Sequence, residues 1–172
     1  MTGRTVLVVP PHLRDEGPHT AILRAAGFAV RFAPSGADTA SAAGLGALLG
    51  DTEAVIAGTE RYSRAVIEAA PRLRVIARVG VGYDAIDLAA TDARGIAVTT
   101  TPGVNQEAVA EHALAMLFAL ARGFPARDLM VRRGDPWRKI PAPRIAGRTL
   151  GLLGLGRIGQ ALVRRVGSLG VR

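Results

Sequence analysis

Three glycines, Gly154, Gly156 and Gly159, stand in the run Gly154-Leu155-Gly156-Arg157-Ile158-Gly159. This G-x-G-x-x-G spacing follows an apolar stretch, Thr149 to Leu153, and opens a helical pattern through Gln160 to Val166. Strand, glycine turn and helix form the context in which that spacing can hold a pyrophosphate. Gly154 permits the tight turn, Gly156 lets backbone approach phosphate closely, and Gly159 lets helix pack against strand. The free N–H groups and positive dipole of the helix start would then face the phosphates. Arg157 places a cation at that start, which opposes the dipole unless a bound anion compensates it.

A second glycine pair flanks Val81. Gly80 and Gly82 at the end of a strand-like run expose successive backbone N–H groups, a natural anion nest. The same glycines would also serve a turn that needs only positive φ. Ligands of parallel sheets gather at the carboxyl ends of strands, which is where this loop falls. Glu60 and Arg61 follow another strand-like run and are expected to face the same cleft. Asp84 and Asp87 read as residues that cap or stabilise the turn after the loop. His112, within an apolar helix, reads as an interhelical or interface residue, and His12 and His19 form neither a relay nor a metal pair.

The elements that must position these groups alternate strand and helix. Strands are predicted at 5–9, 28–32, 54–57, 73–77 and 96–99, with helices at 20–26, 42–49 and 64–70. Gly27 is expected past the end of the first helix, and Ser63 is expected to N-cap the third, which Pro71 closes. Apolar strands separated by helices imply a parallel sheet covered on both faces, an α/β architecture. Beyond Pro102-Gly103 a single long helix is predicted over 105–122. It is apolar on most of its circumference, as expected for burial between bodies. Residues 134–147, with Pro136, Trp137, Pro141 and Pro143, read as an irregular arm.

Composition narrows the function. The chain holds no cysteine, which excludes disulfides, thiolate metal sites and cysteine nucleophiles. No run approaches the roughly 20 apolar residues of a membrane span, and the start at Met1-Thr2-Gly3-Arg4 enters a run too short for a leader's apolar region. The net charge of +8 comes from 22 basic residues, of which Lys139 is the single lysine. They are dispersed and have no interleaved aromatics, so a nucleic-acid footprint is not expected. A cytoplasmic protein follows.

The run Arg78-Val79-Gly80-Val81-Gly82-Tyr83-Asp84-Ala85-Ile86-Asp87-Leu88 resembles a loop of the D-2-hydroxyacid dehydrogenase family, in its D-3-phosphoglycerate dehydrogenase-like branch. The likeness continues through Gly95–Val98, Thr101-Pro102-Gly103-Val104-Asn105, Ala110-Glu111-His112 and Trp137 to the glycine run at 154–159.

The resemblance implies a flavodoxin-like substrate domain over 1–101. A linking helix, an arm and the first βα unit of a Rossmann NAD-binding domain follow over 102–172. It implies hydride transfer between NAD and a D-2-hydroxy or 2-oxo acid. Gly80, Val81 and Gly82 would bind the substrate carboxylate. Val81, Gly154, Gly156, Arg157, Ile158 and Gly159 would bind the cofactor. The helix over 105–122 and the Trp137 arm would form a homodimer. The family's Arg, Glu and His for catalysis lie downstream of the glycine run, so no catalytic residue and no metal ligand is assigned here. The position that separates NAD from NADP also lies downstream.

Family members complete the first domain with a C-terminal helix, and one βα unit cannot cover both faces of its strand. The chain alone is therefore expected to bind NAD weakly or not at all and to be inactive. The alternative is a non-catalytic, NAD-linked interaction module resembling the C-terminal-binding protein corepressors.

Overall fold

A computed structural model describes residues 4–13 and 16–172; the Met1-Thr2-Gly3 start lies outside the described residues. The chain divides into two compact units, Met1–Pro102 and Gly103–Arg172.

The first unit is α/β. Its elements are β1 (Thr5–Val8), α1 (Pro18–Ala25), β2 (Ala29–Phe32), α2 (Ala42–Leu49), β3 (Ala54–Ala57), α3 (Arg64–Glu68), β4 (Val75–Arg78), α4 (Leu88–Ala93) and β5 (Ala97–Thr99). The five strands are parallel in the order β2-β1-β3-β4-β5, the flavodoxin-like order. Position in the sheet explains the burial. Val6, Leu7 and Val8 of β1 are all buried between two neighbours, whereas β2 and β5 at the edges stay partly exposed.

Right-handed crossovers place α1 on one face and α2, α3 and α4 on the other, and α2 packs on α3 and α3 on α4. Leu45 and Leu49 of α2 and Val66 and Ile67 of α3 fill the core against Val55 and Ile76. Each such side chain contributes about 1.5–3 kcal/mol on burial. The α1 face is less covered. A groove of about 680 Å³ runs there, lined by Ile22, Leu23 and Phe28 beside Val6, Ile56 and Val75.

Some boundaries differ from the sequence expectation. The third helix stops at Glu68, and the Ser63 hydroxyl makes no cap hydrogen bond. The short helix α4 was not expected; it is started by Asp87, whose side chain accepts from the Ala90 N–H at 2.9 Å. Six residues lack the length that makes helical periodicity visible.

The second unit holds α5 (Gln106–Arg122), α6 (Phe124–Arg132) and α7 (Arg157–Gly167). Gly123, at φ +64, ends α5 and begins α6. α6 was also unforeseen, because Pro125 reads as a breaker unless it occupies the first turn, as it does here. The predicted burial of α5 is not met within its own unit. Only Ala110 is fully covered, while Val109, Met116 and Leu120 are exposed. Residues 135–145 are irregular, as expected of the arm.

The predicted strand at 149–153 belongs to no sheet, and Leu153 is fully exposed. A strand needs a partner, and among the described residues Arg172 supplies the hydrogen bonds. The Arg172 N–H donates to the Arg148 carbonyl at 2.8 Å, and the Leu150 N–H donates to the Arg172 carbonyl at 2.7 Å. Residue 172 thus bridges 148 and 150 in the pattern of a parallel ladder.

Candidate functional site

All five strands point the same way, so their carboxyl ends share one edge of the sheet. The loop at the end of β4 occupies that edge. Gly80 adopts φ +143, a region open to glycine, and a Cβ there would overlap the Arg78 guanidinium, which folds back to the Val79 carbonyl. The Gly80 N–H is not free. It donates to Thr101 Oγ1 at 2.8 Å and to the Arg78 carbonyl at 3.0 Å, while the Gly80 carbonyl accepts from the Thr101 N–H at 2.9 Å. The donors left in the expected nest are the N–H groups of Val81 and Gly82, which have no hydrogen-bond partner among the described residues and are exposed.

Behind the nest the chain is tied down. Tyr62 pairs with Ile86 in a parallel bridge, its N–H donating to the Ala85 carbonyl at 2.8 Å and its carbonyl accepting from the Asp87 N–H at 2.9 Å. The Tyr62 ring is wholly buried and its hydroxyl finds no partner among the described residues. Burial, and secondarily the charge of Glu60, push that phenol well above its ordinary range. Asp87 is the helix cap described above, whereas Asp84 is exposed.

Glu60 and Arg61 also reach the carboxyl edge. The Glu60 carboxylate accepts from the Gly58 N–H at 2.7 Å and so is engaged by its own loop. Arg61 borders a recess of about 450 Å³ with Val9, Pro11, Thr39, Ala40 and Thr59.

In the second unit the glycine run caps α7. Gly154 takes φ +92, and Gly156 is the N-cap with an ordinary φ of −75. A Cβ on Gly159 would meet the Gly154 carbonyl oxygen at 2.6 Å, so that glycine is demanded by packing. A Cβ on Gly156 would meet no atom of the described residues within 4 Å beyond its chain neighbours. No side chain caps the helix, and its first bond runs from the Gln160 N–H to the Gly156 carbonyl at 2.9 Å. The N–H groups of Arg157, Ile158 and Gly159 are therefore unpaired among the described residues, Arg157 and Ile158 being exposed and Gly159 buried, and no acidic side chain occupies this first turn. Arg157 makes no ion pair among the described residues.

The helix itself is pinned to α5. Arg165 donates to Glu107 at 2.6 Å and to Glu111 at 2.9 Å, and Arg164 donates to Glu107 at 3.2 Å. The Arg165 hydrogen bond holds the Glu107 carboxyl below its usual range. His112 is exposed on α5, and the His19 Nε2 lies 3.1 Å from the Leu13 carbonyl oxygen. Among the described residues no group of three His, Asp or Glu could hold a metal ion.

Of these residues, Thr101 escaped the reading of site residues from sequence. Its hydroxyl meets Gly80 across 21 positions, and that meeting depends on the β4–β5 register.

Comparisons with known proteins add an independent line. The family described as D-isomer specific 2-hydroxyacid dehydrogenase, catalytic domain, matches residues 14–164. The chain is 41% identical over 123 residues to a glyoxylate reductase of Thermococcus litoralis, covering 66% of this chain and 37% of that protein. It is 43% identical over 107 residues to a D-3-phosphoglycerate dehydrogenase of Mycobacterium tuberculosis, covering 61% of this chain and 20% of that protein. Among solved structures, NAD-dependent formate dehydrogenase from Staphylococcus aureus in complex with NAD aligns with a TM-score of 0.82 at 27% identity, over 97% of this chain and 54% of that one. The chain thus spans between a fifth and about half of these proteins.

Proposed function

The chain belongs to the D-isomer specific 2-hydroxyacid dehydrogenase family, and from that premise we propose that it serves hydride transfer between NAD and a D-2-hydroxy acid or its 2-oxo counterpart. In this reading Gly80, Val81 and Gly82 form the carboxylate loop, and the exposed N–H groups of Val81 and Gly82 are its donors. Val81 also touches the cofactor. Gly154, Gly156, Arg157, Ile158 and Gly159 receive the cofactor pyrophosphate.

The observation that carries this reading is Gly156. Its φ suits any residue and, among the described residues, no atom beyond its chain neighbours crowds it, so packing within the described residues does not call for glycine. An approaching ligand does. Three unpaired N–H groups and an uncompensated Arg157 beside it supply the positive field for a diphosphate. The nicotinamide, when bound, supplies the hydride chemistry. The chain's own residues bind and orient at both ends, and none of residues 1–172 is assigned to proton transfer.

Within the family we favour the D-3-phosphoglycerate dehydrogenase-like branch, whose loop the Arg78–Leu88 run resembles. A homodimer through α5 and the arm belongs to the same proposal, because Leu120 and Trp137 are 78% and 84% exposed. So does a cytoplasmic location; no helix among the described residues is long and apolar enough to cross a membrane.

The test is a nicotinamide absorbance assay on the protein as its source cell makes it. Glyoxylate is offered with NADH, and D-3-phosphoglycerate with NAD. Turnover of D-3-phosphoglycerate supports the branch, turnover of glyoxylate alone supports only the family chemistry, and no turnover with either refutes the proposal.

A further inference from the structure

The geometry points to Thr101 as the positioning residue of the carboxylate loop. This role rests on the reading of Gly80–Gly82 as the carboxylate site.

The β4–β5 ladder ends at the pair Ala77–Thr99. Past it, β4 and β5 no longer pair as strands, and the Gly80–Thr101 pair connects the segments that follow them. That connection is double. Thr101 Oγ1 accepts from the Gly80 N–H at 2.8 Å, and the Thr101 N–H donates to the Gly80 carbonyl at 2.9 Å. One residue therefore grips both faces of the Gly80 peptide flanks.

Gly80 is the position where such a grip matters. Its φ of +143 lies where glycine alone moves freely, and Gly82 follows two residues on. A loop with two glycines loses more conformational freedom on ordering than any other composition. A ligand that had to order it would bind more weakly by that cost. Fixing Gly80 beforehand fixes the direction in which the next two N–H groups, those of Val81 and Gly82, present themselves.

The hydroxyl is not needed merely to satisfy Gly80. That N–H has a second acceptor in the Arg78 carbonyl at 3.0 Å, so losing the hydroxyl leaves it paired. The side-chain bond thus selects one orientation of the loop. Serine keeps this acceptor, and valine keeps the shape without it.

The experiment follows backbone amides by NMR in the intact protein, with glyoxylate as the probe, in wild type, Thr101→Val and Thr101→Ser. In wild type, glyoxylate shifts the Val81 and Gly82 amides and the Gly80 amide exchanges slowly. Thr101→Val should speed Gly80 exchange and weaken glyoxylate roughly three- to tenfold, the effect of one neutral hydrogen bond. Thr101→Ser should restore both. Undiminished glyoxylate affinity in Thr101→Val overturns the positioning role while leaving the carboxylate site standing. Absence of glyoxylate shifts at Val81 and Gly82 in wild type overturns the site itself, and Thr101's role with it.

Discussion

Gly159 sits with its Cα against the Gly154 carbonyl, so close that a Cβ would come within 2.6 Å of the oxygen and 3.4 Å of Leu152 Cδ2. The first turn of α7 and the glycine turn before it are thus packed backbone to backbone. Gly156, between them, has open space on its Cα.

That contrast predicts opposite behaviour for two alanine substitutions. Gly159→Ala should destabilise by about 1–3 kcal/mol, as overpacking against rigid backbone does. Gly156→Ala should cost at most about 1 kcal/mol, from the poorer N-cap, yet weaken NAD binding. In the protein as its source cell makes it, thermal unfolding with and without NAD separates the two effects. Equal destabilisation by both would contradict the packing argument.

Tyr62 is buried, and its hydroxyl has no partner among the described residues. Tyr62→Phe should therefore be neutral or more stable by up to about 1 kcal/mol, since it removes an unsatisfied group. Tyr62→Ala should lose about 3–5 kcal/mol, as aromatic truncation in a core does. The pH dependence follows from the raised phenol. The neutral form is the one the fold keeps, so its contribution is complete below the ordinary tyrosine value of about 10. It is lost as pH rises above that value, where the unfolded chain ionises and the folded one does not. Denaturant titrations at neutral and alkaline pH should show this loss in wild type and less of it in Tyr62→Phe.

Two helix starts make a matched pair. Asp87 caps α4 through the Ala90 N–H, whereas Ser63 stands at the start of α3 without a side-chain bond. Asp87→Ala should cost about 0.5–2 kcal/mol, and Ser63→Ala clearly less. Urea midpoints measure both, and a larger loss at Ser63 would show that its hydroxyl caps in solution.

Arg165 joins Glu107 and Glu111 of α5 to α7. Glu107 has its carboxyl lowered chiefly by the Arg165 hydrogen bond. A lowered acid stabilises the fold above its ordinary range, and that stabilisation fades as pH falls through the lowered value. Arg165→Ala should lower the melting temperature at neutral pH and flatten its fall toward acid. High salt should shrink the difference, because both carboxylates are solvent-exposed.

Leu120 and Trp137 leave large apolar surface open on the second unit. If α5 and the arm form the homodimer, Leu120→Glu should yield a monomer in analytical ultracentrifugation with the helical circular dichroism retained. A dimer that survives Leu120→Glu places the interface elsewhere.

Most of the strand–helix alternation could be read from sequence because it rests on local signals. Ala42–Leu49 and Ala54–Ala57 form over the predicted residues, and the five-stranded parallel sheet follows from apolar strands alternating with helices. The errors share a cause. α4 is short, α6 carries a proline in its first turn, and Thr149–Leu153 has a strand's composition but joins no sheet among the described residues. Periodicity reports which face of a segment is apolar, and it carries no information on whether a neighbour arrives to pair with it.

The same division runs through the candidate site. The amino-acid sequence by itself determined the glycine positions, the family and the α/β class, because glycine spacing and apolar periodicity are written in adjacent residues. Tertiary structure alone decided that the Gly80 N–H is held by Thr101 and that Gly159 is a packing glycine while Gly156 is an open one. It also decided that the Tyr62 hydroxyl is sealed without a partner among the described residues. Each of these depends on which atoms meet across the fold, and strand register and helix approach set those meetings.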